Sequence, residues 1–244
     1  MTTLIDALGA HSGIVCAVGA GGKKSVLYQL AREHPGRFAL TATVHTTTFP
    51  DDLPVEPVID DDTALHDRVL SVDAKHSVAY ACPSTKPGRY AGVAGDTITS
   101  LHASGGFAAT FVKADGARMR WIKSPAEDEP VLPGSVDLVI PVVSARAIGE
   151  PLSERVAHRL DRVAAITGVA PGETLTPEAV GRLLASDDGA LKGTSGRHKG
   201  TRGVRVAPVI NMVDNDFQEE SARAAAEAAI AMTSRFDSVV LCCL

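Results

Sequence analysis

The stretch Ile14-Val15-Cys16-Ala17-Val18-Gly19-Ala20-Gly21-Gly22-Lys23-Lys24-Ser25 decides the fold. It opens as a short apolar, β-branched run over residues 14–18, the pattern of a buried strand, and then breaks into glycines. Over residues 24–33, Val26, Leu27, Leu30 and Ala31 recur at helical spacing, and Pro35-Gly36 stops the helix. Strand, glycine turn, lysine and helix in that order make an anion site. Glycine lets the backbone turn sharply and brings N–H groups against a ligand, while the helix start adds unpaired N–H groups and a positive dipole end. Gly19, Ala20, Gly21, Gly22, Lys23, Lys24 and Ser25 are therefore the candidate binding residues for ATP or GTP. The Lys23 ammonium is placed to reach the β- and γ-phosphates and to stabilise charge during phosphoryl transfer. Two positions depart from the usual pattern. Ala17 stands where a first glycine belongs, and Lys24 stands where a hydroxyl would ligate Mg2+. Ser25 follows one residue later, about 100° further round the helix. That leaves Ser25 as the hydroxyl available to a metal and weakens the case for Mg2+.

Working outward, residues 38–44, 55–59, 77–82, 107–113, 136–143, 205–213 and 238–241 read as strands. Residues 63–70, 97–103, 153–166, 176–185 and 219–235 read as helices, the 176–185 segment opened by Thr176-Pro177-Glu178 as a capped start. Residues 119–122 are expected to return as a hairpin strand, and 83–95 to be a Pro- and Gly-rich loop. Strands alternating with helices imply right-handed crossovers, hence an α/β fold with a mainly parallel sheet and flanking helices. Residues 1–148 are expected to form the nucleotide-binding core, 149–203 a helical insertion or subdomain, and 204–244 the remainder of the core.

The bulk numbers exclude several classes. With 244 residues, 45% hydrophobic and 22% charged, the chain can build a large core without disulfides or a structural metal. Aromatics are only 4%, so that core rests on Ala, Val, Leu and Ile, which favours close helix-on-sheet packing. A net charge of −5 argues against nucleic-acid binding through a broad basic surface. No apolar run reaches the roughly 18 residues of a membrane span. The first twelve residues carry Asp6 and lack the basic start of a secretion signal, so the expected location is the cytoplasm. Cys16, Cys82, Cys242 and Cys243 form no CxxC pair and do not suggest zinc.

Further residues fall at strand ends, where open parallel sheets bind ligands. His45-Thr46-Thr47-Thr48 follows the second strand, and the Thr46 and Thr47 hydroxyls suit Mg2+ or a γ-phosphate as well as they suit a capped turn before Pro50. Asp115 ends the 107–113 strand, where a carboxylate holds a metal through its waters and serves phosphoryl transfer; Lys113 beside it is out of character for a metal site. Asn211-Met212-Val213-Asp214 resembles a guanine-reading pattern with Met212 in the lysine position, and equally a strand-to-turn transition. His158 and Arg159 sit in the expected 153–166 helix. The basic, glycine-containing loop 192–205 suits phosphate clamping, an acidic partner or plain solvation, whereas Pro54 and Pro57 keep the acidic stretch 51–62 from converging on a metal.

Taken together, VGAGGKKS (18–25), TVHTTTFP (43–50), VKADGARMRWIKSPAEDEPVLP (112–133), IGEPLSERVAHR (148–159), ALKG (190–193) and INMVDND (210–216) resemble the YqeC-like family of selenium-cofactor biosynthesis or selenium-dependent molybdenum hydroxylase accessory proteins. The matching segments keep the family's order and spread over most of the chain. The resemblance implies a P-loop NTPase-like fold and a role in maturing a molybdenum hydroxylase, with that enzyme or its cofactor as partner. It implies Gly21, Gly22 and Lys23 for phosphate, Asp115 on the metal side, Asn211 and Asp214 for the base, and Lys123, Glu129, His158 and Arg159 as site residues of unassigned role. Lys24, Lys113 and Met212 replace the family's usual Thr, Glu and Lys. Two of these add positive charge, which favours anion binding over Mg2+-dependent turnover. Three functions follow: an NTP-hydrolysing accessory protein, a nucleotide or cofactor carrier that needs no Mg2+, and, more remotely, a small-molecule kinase or ATP-dependent ligase.

Overall fold

The computed structural model describes residues 2–195 and 204–244; Arg197, Lys199 and Arg202 of the basic loop lie outside the described residues. Its strands are β1 (Gly13–Gly19), β2 (Phe38–Ala42), β3 (Thr46–Thr47), β4 (Val55–Ile59), β5 (Ser77–Ala81), β6 (Arg89–Tyr90), β7 (Ala109–Lys113), β8 (Ile122–Lys123), β9 (Leu138–Ser144), β10 (Ala157–His158), β11 (Arg205–Val206), β12 (Val209–Asn211) and β13 (Val240–Leu241). Its α-helices are α1 (Leu4–Leu8), α2 (Lys23–Glu33), α3 (Asp62–Leu70), α4 (Gly95–Ser104), α5 (Leu160–Thr167), α6 (Pro177–Ala185) and α7 (Asp216–Met232). The expected α/β class with a mainly parallel sheet is what the chain adopts. Among the described residues, no helix is long and apolar enough to cross a membrane.

The chain divides into two compact units. The first comprises Met1–Ala17, Lys24–Ala114 and Val131–Leu138. Its strands run β4-β5-β2-β7-β1, all parallel, with Leu40 and Val15 both in register with Phe111. Strands β2 and β5 are buried at every position, the signature of a parallel sheet covered on both faces. The Phe38 and Phe111 rings pack 5.7 Å apart, and Thr41 donates to the Tyr80 carbonyl at 2.7 Å. Residues 89–90, expected in a loop, instead pair antiparallel with Thr46–Thr47. A two-residue ribbon is too short to leave a period-two signal.

The second unit comprises Val18–Lys23, Asp115–Pro130 and Val139–Leu244. Strands β9, β12 and β13 are parallel neighbours in that order, and β11 also pairs with β9. A core of Ile122, Leu152, Val163, Leu183, Ile210 and Ala225 lies among β8 to β12 and α5 to α7. Helix α6 is capped by Thr176, whose hydroxyl accepts from Ala179 N at 3.2 Å, with Pro177 at its first position. The expected 149–203 region thus contributes α5 and α6 to this unit.

Three sequence expectations need correcting. Residues 119–122 do not form a hairpin: Ile122–Lys123 pairs parallel with Ala157–His158. Residues 153–166 are not one helix, because 157–158 is that strand and Arg159 at φ 65° turns the chain before α5. Strand 205–213 splits at Ala207-Pro208, where proline has no N–H to give a ladder.

Candidate functional site

Strand β1 ends in the glycine turn and α2 begins at Lys23. Gly19, Gly21 and Gly22 have φ of 92°, 81° and 115°, conformations that other residues rarely adopt. Space forbids a side chain as well. A Cβ would lie 2.3 Å from Val142 O at Gly19, 2.5 Å from Ser144 N at Gly21, and 2.1 Å from Asn211 Nδ2 at Gly22. The turn is thus pressed against the end of β9 and against Asn211.

That packing corrects part of the expected cradle. Gly19 N donates to Asp115 Oδ2 at 2.8 Å, Ala20 N to Val142 O at 2.8 Å, and Gly21 N to Arg120 O at 3.1 Å. Buried N–H groups must be paired, and these three are paired within the protein. Gly22 N has no acceptor among the described residues, and the first turn of α2 leaves further N–H groups without helical partners.

Around the turn runs a chain of charges, buried at Lys23, Asp115 and Lys123 and partly buried at Glu129 and Arg159. Lys23 Nζ donates to the Gly19 carbonyl and lies 2.9 Å from Asp115 Oδ1, off the line of a good hydrogen bond, so that this buried oxygen accepts none. Lys123 Nζ lies 2.9 Å from Asp115 Oδ2 and 2.5 Å from Glu129 Oε2; Arg159 Nη1 reaches the same Glu129 oxygen at 2.8 Å. Three cations therefore face two carboxylates. Burial pulls the Lys23 pKa below the lysine norm, opposed by the Asp115 charge. At Glu129 burial raises the pKa, but hydrogen bonds from Arg159 and Lys123 outweigh it and hold the carboxyl at about 2. His158, in register with Lys123 on the β8–β10 ribbon, is lowered to about 4 by burial and then by the Arg159, Lys123 and Arg118 charges. Its ring is neutral at pH 7.

A small cavity of about 20 Å³ opens beside this chain, lined by Gly19, Asp115, Lys123, Pro125, Pro130 and Lys192 among others. Lys192 Nζ is held by the carbonyls of Ala126 and Glu127. The space suits one water and not a nucleotide.

The remaining candidates are dispersed. Asn211 is buried, its amide donating to Gly21 O at 3.0 Å and to Leu244 O at 3.3 Å and accepting from Leu244 N at 3.0 Å. It positions the turn instead of facing outward. Asp214 pairs with Arg146 at 2.5 Å and accepts from the Cys243 thiol at 3.0 Å. Lys24, Ser25, Thr46 and Thr47 belong to the first unit, where Lys24 Nζ donates to Thr47 Oγ1 at 2.9 Å. The expected Mg2+ donors do not fit a cation: both Asp115 oxygens already face ammonium or amide groups, and Ser25 falls in the other unit. Among the described residues, no group of three His, Cys, Asp or Glu could hold a metal. Sequence reasoning missed Ser144, which abuts Gly21 and donates to Met212 Sδ at 3.1 Å, and Arg146, which holds Asp214. Neither carries a motif.

Comparison with known proteins places this geometry in a family. The model of the family described as YqeC protein matches residues 15–161. A protein of Escherichia coli (strain K12), named uncharacterized protein YqeC, is 31% identical over 196 residues, 78% of this chain and 75% of that relative.

Proposed function

The chain belongs to the YqeC family, and from that premise we propose a nucleotide-binding accessory protein for maturing a selenium- or molybdenum-dependent hydroxylase, one that grips phosphate without a divalent cation. The observation that carries this reading is the charge chain, in which Lys23, Lys123 and Arg159 outnumber Asp115 and Glu129 beside the glycine turn. A phosphate completes that chain by taking Lys23 from the Gly19 carbonyl and Asp115 and by accepting from Gly22 N. The surroundings of His158 agree in sign: burial is the main cause of its lowered pKa, and the Arg159, Lys123 and Arg118 charges that add to it also favour an anion. The maturation role itself rests on the family resemblance.

Admission of a nucleotide requires the 20 Å³ cavity to widen, and Pro125, Pro130 and Lys192 are among the residues that line it. Affinity is then reduced by the population of the open form. Metal-dependent hydrolysis is disfavoured, because Asp115 is committed to two ammonium groups. It remains the second reading through Lys23 and the turn.

Thermal melts with ATP, GTP and pyrophosphate, each with Mg2+ or with EDTA, test the proposal. A ligand at 100 times its Kd stabilises the native state by about 2.7 kcal/mol. Stabilisation that survives EDTA and disappears in Lys23→Ala is the expected result. No stabilisation by any of the three overturns the binding reading. Stabilisation only with Mg2+, accompanied by phosphate release, replaces it with the hydrolase.

A further inference from the structure

The first unit carries a cluster that shares only Lys24 with the 19–25 stretch and uses none of the groups assigned to phosphate above. Helix α2 places Lys24 and Tyr28 one turn apart on one face. The β3–β6 ribbon sets Thr47 directly opposite Arg89, and cross-strand partners project to the same side. Lys24 Nζ donates to Thr47 Oγ1 at 2.9 Å, and the same threonine draws down a Tyr28 pKa that burial raises. The three arginines Arg32, Arg68 and Arg37 of this unit end on oxygen that carries charge or a full carbonyl dipole: Arg32 on Asp52 at 2.7 Å, Arg68 on Asp60 at 2.9 Å, Arg37 on the His76 carbonyl at 3.0 Å. Lys24 ends on a neutral hydroxyl, and its charged neighbour is another cation. Burial first, and then the Arg89 charge, lower its pKa. Among the described residues neither Lys24 nor Arg89 has a carboxylate partner. Two like charges held together with hydroxyl donors, one of them half-buried, lack the negative charge that would satisfy them.

We propose that Lys24, Arg89, Thr47 and Tyr28 form a second oxyanion site, which takes the phosphate group of a phosphorylated small molecule. Lysine, guanidinium and two hydroxyls supply donors, and a tetrahedral dianion supplies the missing acceptors. The site goes beyond the reading above, since it neither needs the glycine turn nor fills it.

The test uses the full chain in a Lys23→Ala background, so that the turn cannot be the source of a signal. Inorganic phosphate is titrated while amide and side-chain resonances of Thr47 and Arg89 are followed by NMR, with acetate at equal ionic strength as control. Phosphate, and not acetate, shifts these resonances. Lys24→Gln and Arg89→Gln each weaken the titration at least about 10-fold, as loss of a charge-assisted contact does. In phosphate-free buffer Lys24→Gln melts no lower than its parent, because it relieves a like-charge contact. Three results overturn the proposal: equal shifts with acetate, no shift at Thr47 and Arg89, or a clear fall in Tm for phosphate-free Lys24→Gln, which would make Lys24 a structural residue. None of them bears on the turn, whose own test is the wild-type panel with nucleotides.

Discussion

Asp115 carries more of the site than any other single side chain. Its two oxygens answer the Gly19 amide and the buried Lys23 and Lys123. Asparagine at this position keeps the shape but leaves the buried Lys23 ammonium without its carboxylate and Lys123 with Glu129 alone. Removing one partner of a buried pair costs about 3–5 kcal/mol, whereas replacing a group whose partner keeps other contacts costs less. Asp115→Asn is therefore expected to lose about 3–5 kcal/mol in urea unfolding. Lys23→Met, which leaves Asp115 with Lys123 and Gly19 N, is expected to lose only about 1–2 kcal/mol. An Asp115→Asn variant as stable as Lys23→Met would show that the carboxylate is not the hub. At this scale the sequence made Asp115 legible as a strand-end carboxylate and Lys23 as the turn lysine. Their pairing was hidden, because Lys123 comes from a ribbon formed with residues 157–158, and no local pattern announces a contact of that separation. Asn211 was legible for the same reason as Asp115, and its orientation onto Gly21 was not.

Elements with strong local signals were readable, and those made by pairing were not. Helix α6 announced itself through Thr176, Pro177 and Glu178, and β1 and β9 through apolar β-branched runs. The β3–β6 and β8–β10 ribbons, each two residues a side, exist only because distant segments meet. The expected 153–166 helix failed because Val156, Leu160 and Val163 satisfy helical spacing while pairing with β8 takes residues 157 and 158. The packing of α6 on the Ala-rich α7 depends on Gly181, where a Cβ would stand 2.8 Å from Ala228 Cβ and 3.0 Å from Ala225 O. Helix propensity alone favours alanine over glycine by about 1 kcal/mol, so a free surface would reward substitution. Here the helices are in contact, and overpacking costs about 1–3 kcal/mol. Gly181→Val is expected to lose about 2 kcal/mol or more in chemical unfolding, since its branched side chain adds a poor helix former to the clash. A variant as stable as wild type would mean that α6 and α7 separate at little cost.

For the molecule as a whole, the same charge chain sets how stability responds to acid. His158 ionises near 4 in the folded protein and near 6.5 when unfolded, so the unfolded chain binds the extra proton between those values. Stability is unaffected above about pH 6.5, falls as pH drops towards 4, and stops changing from this source below that. Glu129, held at about 2 against an ordinary 4.5, acts next: its contribution is full above pH 4.5 and is lost as pH falls towards 2. His102, lowered by burial, adds to the first phase with the same sign. Thermal melts of wild type and His158→Gln at pH 7.5, 6, 5 and 4 separate these contributions, since only the His158 share disappears in the variant. The wild type is expected to lose Tm more steeply than His158→Gln between about pH 6.5 and 4, and the two to run parallel below. Parallel curves throughout would mean that neither burial nor the surrounding cations act on His158, and the positive charge invoked for the anion site would lose one of its supports. A saturating anion bound at the turn offsets part of the positive charge around His158 but leaves its burial unchanged. With ligand present, the wild-type and His158→Gln curves are therefore expected to lie closer together without merging, and this ties the acid response of the molecule to occupation of its site.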